Sequence, residues 1–302
     1  MRVVIAGGTG LIGRALTRSL AQAGHEVVVL SRSADAHVEG ATTARWDGMT
    51  ADETVLADAR AVVNLSGEPL GGGRWTTARK QRIEASRVDS TDALVSAVAR
   101  LEPARRPRVL VNASGVGALG DRGDETLDED AAPGDTPLAR IASRWEGAAL
   151  AAEQLGLRVV LMRTAVAFHR DAKAFRLLVL PFRLFVGGRL GSGRQWLPWI
   201  HLDDLVRLYV LAIEDEALQG AVHAAGPEPV RQAELARAIG RALRRPALLP
   251  TPAWLLRLAL GDQSELLLES QRVVSRKLDV GSFLYPRLDD ALAEALAPAV
   301  RP

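Results

Sequence analysis

Valine-rich apolar runs alternate with amphipathic stretches through the first half of the chain. The strand candidates are 2–6 (RVVIA), 26–30 (EVVVL), 61–66 (AVVNLS), 108–114 (RVLVNAS) and 158–163 (RVVLMR). Each is mostly apolar at successive positions, as strands covered on both faces must be. Between them the pattern predicts helices over roughly 11–23, 77–100 and 137–155, with Gly24 and Gly156 where helix C-caps fall. Strand and helix in alternation predict βαβ units, and hence an α/β fold with a Rossmann-type, doubly wound parallel sheet.

After Arg163 the rhythm changes. Residues 170–185 read as an apolar helix that Pro181 bends or ends. A glycine-rich stretch, VGGRLGSGRQWLPWI, then leads into a short strand, and 203–215 reads as a helix with an acidic start. From about 227 the chain is mostly helical, broken at Pro246, Pro250 and Pro252. The predicted division is a nucleotide-binding domain of 1–168 with 198–226. A small, mostly helical substrate domain takes 169–197 with 227–302.

Composition narrows the function classes. The 302 residues are 48% hydrophobic, ample for a packed interior. Lys+Arg at 38 against Asp+Glu at 36 gives a net charge of +2, which supplies no electrostatic case for nucleic acid. With no cysteine, disulfides, thiolate nucleophiles and cysteine-ligated zinc are excluded. Charges interrupt every apolar run before membrane-spanning length, and the opening MRVVIAGGTG reads as a strand entering a turn, not a secretory signal. The expectation is a soluble, cytoplasmic protein with a small-molecule substrate and no metal.

The turn after the first strand carries the strongest chemical signal. In VVIAGGTGLIG, Gly7, Gly10 and Gly13 have the spacing G-x-x-G-x-x-G, and Gly8, Gly10 and Gly13 also satisfy G-x-G-x-x-G. Such glycines permit a tight turn, close approach of backbone to a pyrophosphate and close packing of helix on strand. With the intervening Thr9, Leu11 and Ile12 they form the expected phosphate cradle at a helix N-terminus. At the end of the second strand, where an acid would take the ribose 2′-OH of NAD, stand Ser31 and Arg32, with no acid before Asp35. A guanidinium and hydroxyls suit a 2′-phosphate, which predicts NADP(H) as cofactor.

With GGTGLIG, LSRS, VVNLSGEPL, SRVDSTDAL, GDRGDETLDED, RWEGAA, GSGRQWLPWIHLDDL and LLLESQRVVSRKL, the chain resembles an atypical extended short-chain dehydrogenase/reductase over nearly its whole length. The subgroup is the "epimerase family", NAD(P)-dependent epimerase/dehydratase-like and sometimes labelled cell-division inhibitor-like. The resemblance implies that Leu65, Ser66 and Gly67 approach the adenosine and ribose through backbone atoms. It also implies that Arg87 turns toward the nucleotide, and that Ala167, in a loop after a strand, contacts the nicotinamide side. A helix-surface salt bridge to Glu84 or Asp89 is the alternative for Arg87.

One expected pair is missing. Reductases of this type protonate the nascent alkoxide from a tyrosine whose pKa a lysine four residues on lowers. Here TPLARIASRWE offers Leu138, Arg140, Ala142 and Arg144. The only tyrosines are Tyr209 and Tyr285, followed four residues later by Ile213 and Asp289, so no Tyr-x-x-x-Lys exists. Ser114 is the candidate oxyanion donor, with a strand-end turn as its alternative role. Glu146 is a candidate general acid if burial raises its pKa, with packing and capping beside Trp145 as the alternative. Trp145, Gln195, Trp196 and His201 are the candidate pocket residues, His201 mainly as an organiser of a strand-to-helix junction. The acidic run 120–130 reads as a solvated loop able to act as a lid. The expected activity is NADP(H)-dependent reduction of a small carbonyl-type substrate; the alternative is a non-catalytic NADP(H)-responsive regulatory protein.

Overall fold

The computed structural model describes residues 1–33, 36–71 and 73–297. A parallel sheet forms from β1 (Arg2–Ala6), β2 (Glu26–Ser31), β3 (Thr42–Arg45), β4 (Ala61–Asn64), β5 (Val109–Gly115), β7 (Arg158–Thr164) and β10 (Gly220–Ala224). Its seven strands run in the order β10-β7-β5-β4-β1-β2-β3. The order reverses direction between β1 and β4, the switch point at whose C-terminal edge such sheets bind ligands.

Alternate strand residues feed two separate cores. Val3, Ile5, Val27, Val29, Val63, Val111 and Val160 point to the side that α1 (Leu11–Gln22) and α6 (Leu202–Glu214) cover. Val4, Val28, Val62, Leu110 and Leu161 point to the other, where α3 (Thr77–Arg100) packs beneath α4 (Pro137–Leu150). A short α2 (Glu53–Leu56) closes that side. Two-sided burial is why these strands carry valine at consecutive positions.

A third core is built from α5 (Lys173–Arg183), α7 (Gln232–Leu243) and α10 (Leu288–Leu296) around Phe168, Phe175, Trp199 and Leu235. Phe168 and Trp199, on the nucleotide-binding side of the predicted division, belong to this core. They lie on β8 (Val166–Phe168) and β9 (Trp199–His201), which pair with each other in a separate two-stranded ladder. Ala167 therefore sits in a strand opposite Ile200, not in a loop. Pro181 does not end α5, which runs to Arg183, because a proline in the last turn gives up only one helical N–H. After α8 (Ala253–Leu260) and α9 (Glu265–Leu268) the chain forms β11 (Arg272–Val273), which pairs with β6 (Thr126–Leu127) in the acidic run.

That pairing argues against a free lid, while Asp121, Asp124, Glu125 and Asp130 stay exposed, as a solvated loop requires. Asp121 accepts from Ser270 N, Asp124 from Trp196 Nε1 and Arg231, and Glu129 from Ser275 Oγ and Arg276 N. Asp128 pairs with Arg276 at 3.0 Å. The acids of 120–130 strap the C-terminal segment to the sheet. No helix among the described residues is long and apolar enough to cross a membrane.

Candidate functional site

The glycine turn lies at the switch point. A Cβ on Gly7 (φ +77) would sit 2.7 Å from the carbonyl carbon of Leu65, so the turns after β1 and β4 touch backbone to backbone. Leu65 N donates to Ala6 O at 2.9 Å and fixes that contact. A Cβ on Gly13 would meet Gly8 Cα at 2.5 Å, which is why α1 can begin so close to β1. Gly10 differs: its Cβ would lie 3.4 Å from Gly7 O, with nothing else within 4 Å.

Gly10 is also the N-cap of α1, without a side-chain cap and without an acid in the first turn. The first helical N–H to find an acceptor is that of Arg14, bonded to Gly10 O at 2.9 Å. The earlier N–H groups of Leu11 and Ile12 are left to an outside partner, and an anion at a helix N-terminus fits them. Thr9 closes the turn, its carbonyl accepting from Arg14 Nε. At the neighbouring strand end Ser31 is buried, its Oγ accepting from Ser33 N, and Arg32 is exposed. Asp35 lies outside the described residues. These groups could hold a dinucleotide with a charged group at the edge of β2.

Arg87 turns inward from α3. Its Nη1 donates to the carbonyls of Glu68 and Ile83, and its guanidinium lies 5.1 Å from the Trp145 ring centroid. Glu84 pairs with Arg144 across the helices instead, so the surface bridge considered for Arg87 does not form. Burial pulls Arg87 down to about 10, the charge of Glu68 opposing the shift. A Cβ on Gly67 would sit 3.0 Å from the guanidinium carbon, so glycine there makes room for it. Beneath lies a polar network that the sequence reading missed. Asn64 Nδ2 donates to Thr91 Oγ1 and Asn112 Oδ1, Asn64 Oδ1 accepts from Ser66 N, and Trp145 Nε1 donates to Thr91 Oγ1. Trp145 thereby supports the Arg87 and Ser66 positions and is buried.

Ser114 and Glu146 come together, but both face inward. Ser114 Oγ donates to Glu146 Oε1 at 2.6 Å, and Arg163 binds both Glu146 oxygens at 2.9 Å. All three residues are buried. Glu146 is the acceptor in each of these bonds, which corrects its expected part as an acid facing a substrate. The hydroxyl of Ser114 is likewise committed to Glu146.

The pocket candidates also scatter. Gln195 is buried, its Nε2 donating to Leu190 O and Leu267 O. Trp196 lies between the Arg231 and Arg272 guanidiniums, at 4.0 and 4.9 Å. His201 caps α6, its Nδ1 accepting from Asp203 N, and its ring packs 4.3 Å from Tyr285. Burial pushes its pKa down. Each is drawn into structure by polar partners that spacing alone does not reveal.

On α4, the helix that would carry the tyrosine, Leu138 and Ile141 pack with Leu70, Trp75, Ile83 and Leu266. Tyr209 is fully buried beside α1 and the sheet, and burial pushes its phenol upward. A carboxylate from the C-terminal segment, Glu269, lies beside the α4 N-cap Thr136. Burial, with Glu265 and Asp121 nearby, pushes its carboxyl up to about 7, a shift opposed by a hydrogen bond from Thr136. Nothing in the short motif LLLES announced this, because the shift comes first from burial, which only the fold determines. Among the described residues no three His, Asp or Glu side chains gather as a metal site.

The model of the NAD dependent epimerase/dehydratase family matches residues 3–225. The chain belongs to this family. A domain of unknown function matches residues 251–295. An epimerase family protein of Mycobacterium tuberculosis is 39% identical over 300 residues, covering 98% of this chain and 97% of that protein. The bovine epimerase family protein SDR39U1 is 36% identical, covering 98% and 100%. Among solved structures, human SDR39U1 (isoform 2) with NADPH superposes with a TM-score of 0.86 at 33% identity, covering 98% of this chain and 99% of that one. A UDP-glucuronic acid 4-epimerase from Bacillus cereus, at 17% identity and a TM-score of 0.75, shares the fold. Membership thus accounts for the parallel sheet and the glycine turn.

Proposed function

We propose that the chain is an NADP(H)-dependent oxidoreductase of this family acting on a small carbonyl-type substrate. The observation that carries the reading is the uncapped N-terminus of α1 at the switch point, with Ser31 and Arg32 at the adjacent strand end. The NADPH in the human relative supports the same cofactor here. When bound, the cofactor supplies a hydride to the carbonyl carbon. The chain's own residues orient it: Leu11 and Ile12 N–H toward the pyrophosphate, Arg32 toward a 2′-phosphate, Arg87 and the Leu65–Gly67 turn toward the adenosine side. Ala167 is the proposed neighbour of the nicotinamide. The carbonyl oxygen takes its proton from water or from Glu269, in place of a phenol.

A second reading has its own support. No Tyr-x-x-x-Lys pair stands on α4 or elsewhere in the sequence, which favours a protein that binds NADP(H) and signals its redox state without turnover. A screen of small aldehydes, ketones and quinones against NADPH oxidation separates the two, with Gly10→Val as the cofactor-free control. Turnover lost in Gly10→Val supports the oxidoreductase. No turnover, with NADPH bound, supports the regulatory reading.

A further inference from the structure

Away from the strand ends, the second half of α7 and the chain after it enclose an open groove of about 770 Å3. Arg189, Arg237, Arg241, Arg244 and Arg245 line it. The turn that gathers them has an unusual residue at its centre. Arg244 caps α7 at φ 53 and ψ 46, a left-handed conformation that glycine ordinarily takes. The turn sends the chain back over α7, where Arg245 N donates to Gly240 O at 2.8 Å. A Cβ on Gly240 would lie 2.9 Å from Arg245 O, so the bare glycine lets the returning chain rest on the helix. Arg244 and Arg245 are thereby brought to the same groove as Arg237 and Arg241.

Charge there is unbalanced. Arg241 pairs with Asp289 at 3.0 Å, while among the described residues no other of the five forms an ion pair with a carboxylate. Arg245 lies over the Phe185 ring and Arg189 donates to Ser192 O. Five cations share one groove in a chain whose net charge is only +2. A second arginine-lined groove, of about 500 Å3 at the opposite edge of the sheet, shows the contrast. There Arg158 donates to three carbonyls, Arg106 to three more, and Arg60 binds Glu216. Three of that groove's four guanidiniums are satisfied internally, with Arg108 the exception, whereas the α7 groove keeps four of its five without a carboxylate partner among the described residues.

We infer that the α7 groove is a binding site for an anion carrying two or more phosphate groups, separate from the glycine turn. Guanidinium forks suit phosphate oxygens two at a time, and the volume lies within the range of small-ligand sites. The small residues Ala233, Ala236 and Gly240 leave the floor open to a flat or bulky remainder. The phosphates come either from a soluble polyphosphate or from a lipid head group. Leu248, 79% exposed at the rim, and the exposed Leu249 and Trp254 beyond it would assist the second source.

Calorimetric titration of the full chain with sodium tripolyphosphate tests this, alongside co-sedimentation with phosphatidylglycerol/phosphatidylcholine vesicles. Arg244→Gly removes one guanidinium and relieves the left-handed residue, so its Tm should stay level or rise while binding weakens at least tenfold. Arg237→Gln/Arg245→Gln should weaken binding further, and Arg32→Ala should not change it. Saturable tripolyphosphate binding with no vesicle retention assigns a soluble ligand. Vesicle retention that tripolyphosphate displaces and Arg244→Gly lowers assigns a head group. Binding to neither probe, binding indifferent to Arg244→Gly, or binding lost only in Arg32→Ala overturns the inference.

Discussion

Ser114 and Arg163 stand opposite each other in the register of β5 and β7, and Glu146 reaches down from α4 to bind both. The buried ion pair ties the helix that would carry a catalytic tyrosine to the two strands beneath it. Replacing one partner strands a buried charge. Glu146→Ala should therefore destabilise the fold by about 3–5 kcal/mol in urea unfolding. A Glu146→Leu/Arg163→Met pair should recover most of that loss. If Glu146→Ala is as stable as the parent, the three residues do not form the buried unit described here.

Gly10 and Gly13 should separate binding from folding. Gly13→Ala forces a Cβ to within 2.5 Å of Gly8 Cα and should cost at least about 2 kcal/mol in stability. Gly10→Val has room in the fold, so its stability should change by no more than about 1 kcal/mol. Its side chain would nevertheless project where the pyrophosphate must approach the uncapped helix, and NADPH binding should be lost. Thermal melts paired with NADPH fluorescence titrations distinguish the two effects.

Glu269 predicts a pH dependence. Its carboxyl lies near 7 in the folded chain against an ordinary 4.5, because the charged form is disfavoured there. A raised pKa gives a contribution fully present below about 4.5 and lost as pH rises through 7. Glu269→Gln should thus match the parent's stability at pH 4. At pH 8 it should exceed the parent by at most about 3 kcal/mol. Equal melting temperatures at both pH values would show that Glu269 ionises freely. If turnover is found, the same substitution should lower it and flatten its pH profile near 7.

The sheet and its turn were legible because their signals are local. Valine runs mark strands buried on both faces, and the spacing of Gly7, Gly10 and Gly13 marks a backbone that must pass close to something. β3, with the polar Thr42–Arg45 at a sheet edge, and β10, a short strand containing His223, carry no such pattern and went unmarked. The site was less legible. Ser114 and Glu146 were singled out as residue types fit for chemistry, but Arg163, the partner that turns Glu146 inward, is fixed only by strand register. The fixed course of 120–130 was hidden because its partners, Ser270, Arg231 and Arg276, come more than a hundred residues later.

Under the proposed function, Ser31 and Arg32 beside the α1 turn select a 2′-phosphorylated dinucleotide. Titration of the purified chain with NADPH and NADH, in parallel with Arg32→Ala, tests it most directly. NADPH should bind at least tenfold tighter, about 1.4 kcal/mol, and Arg32→Ala should remove most of that difference. Equal affinities for the two cofactors in the unmutated chain would contradict the account.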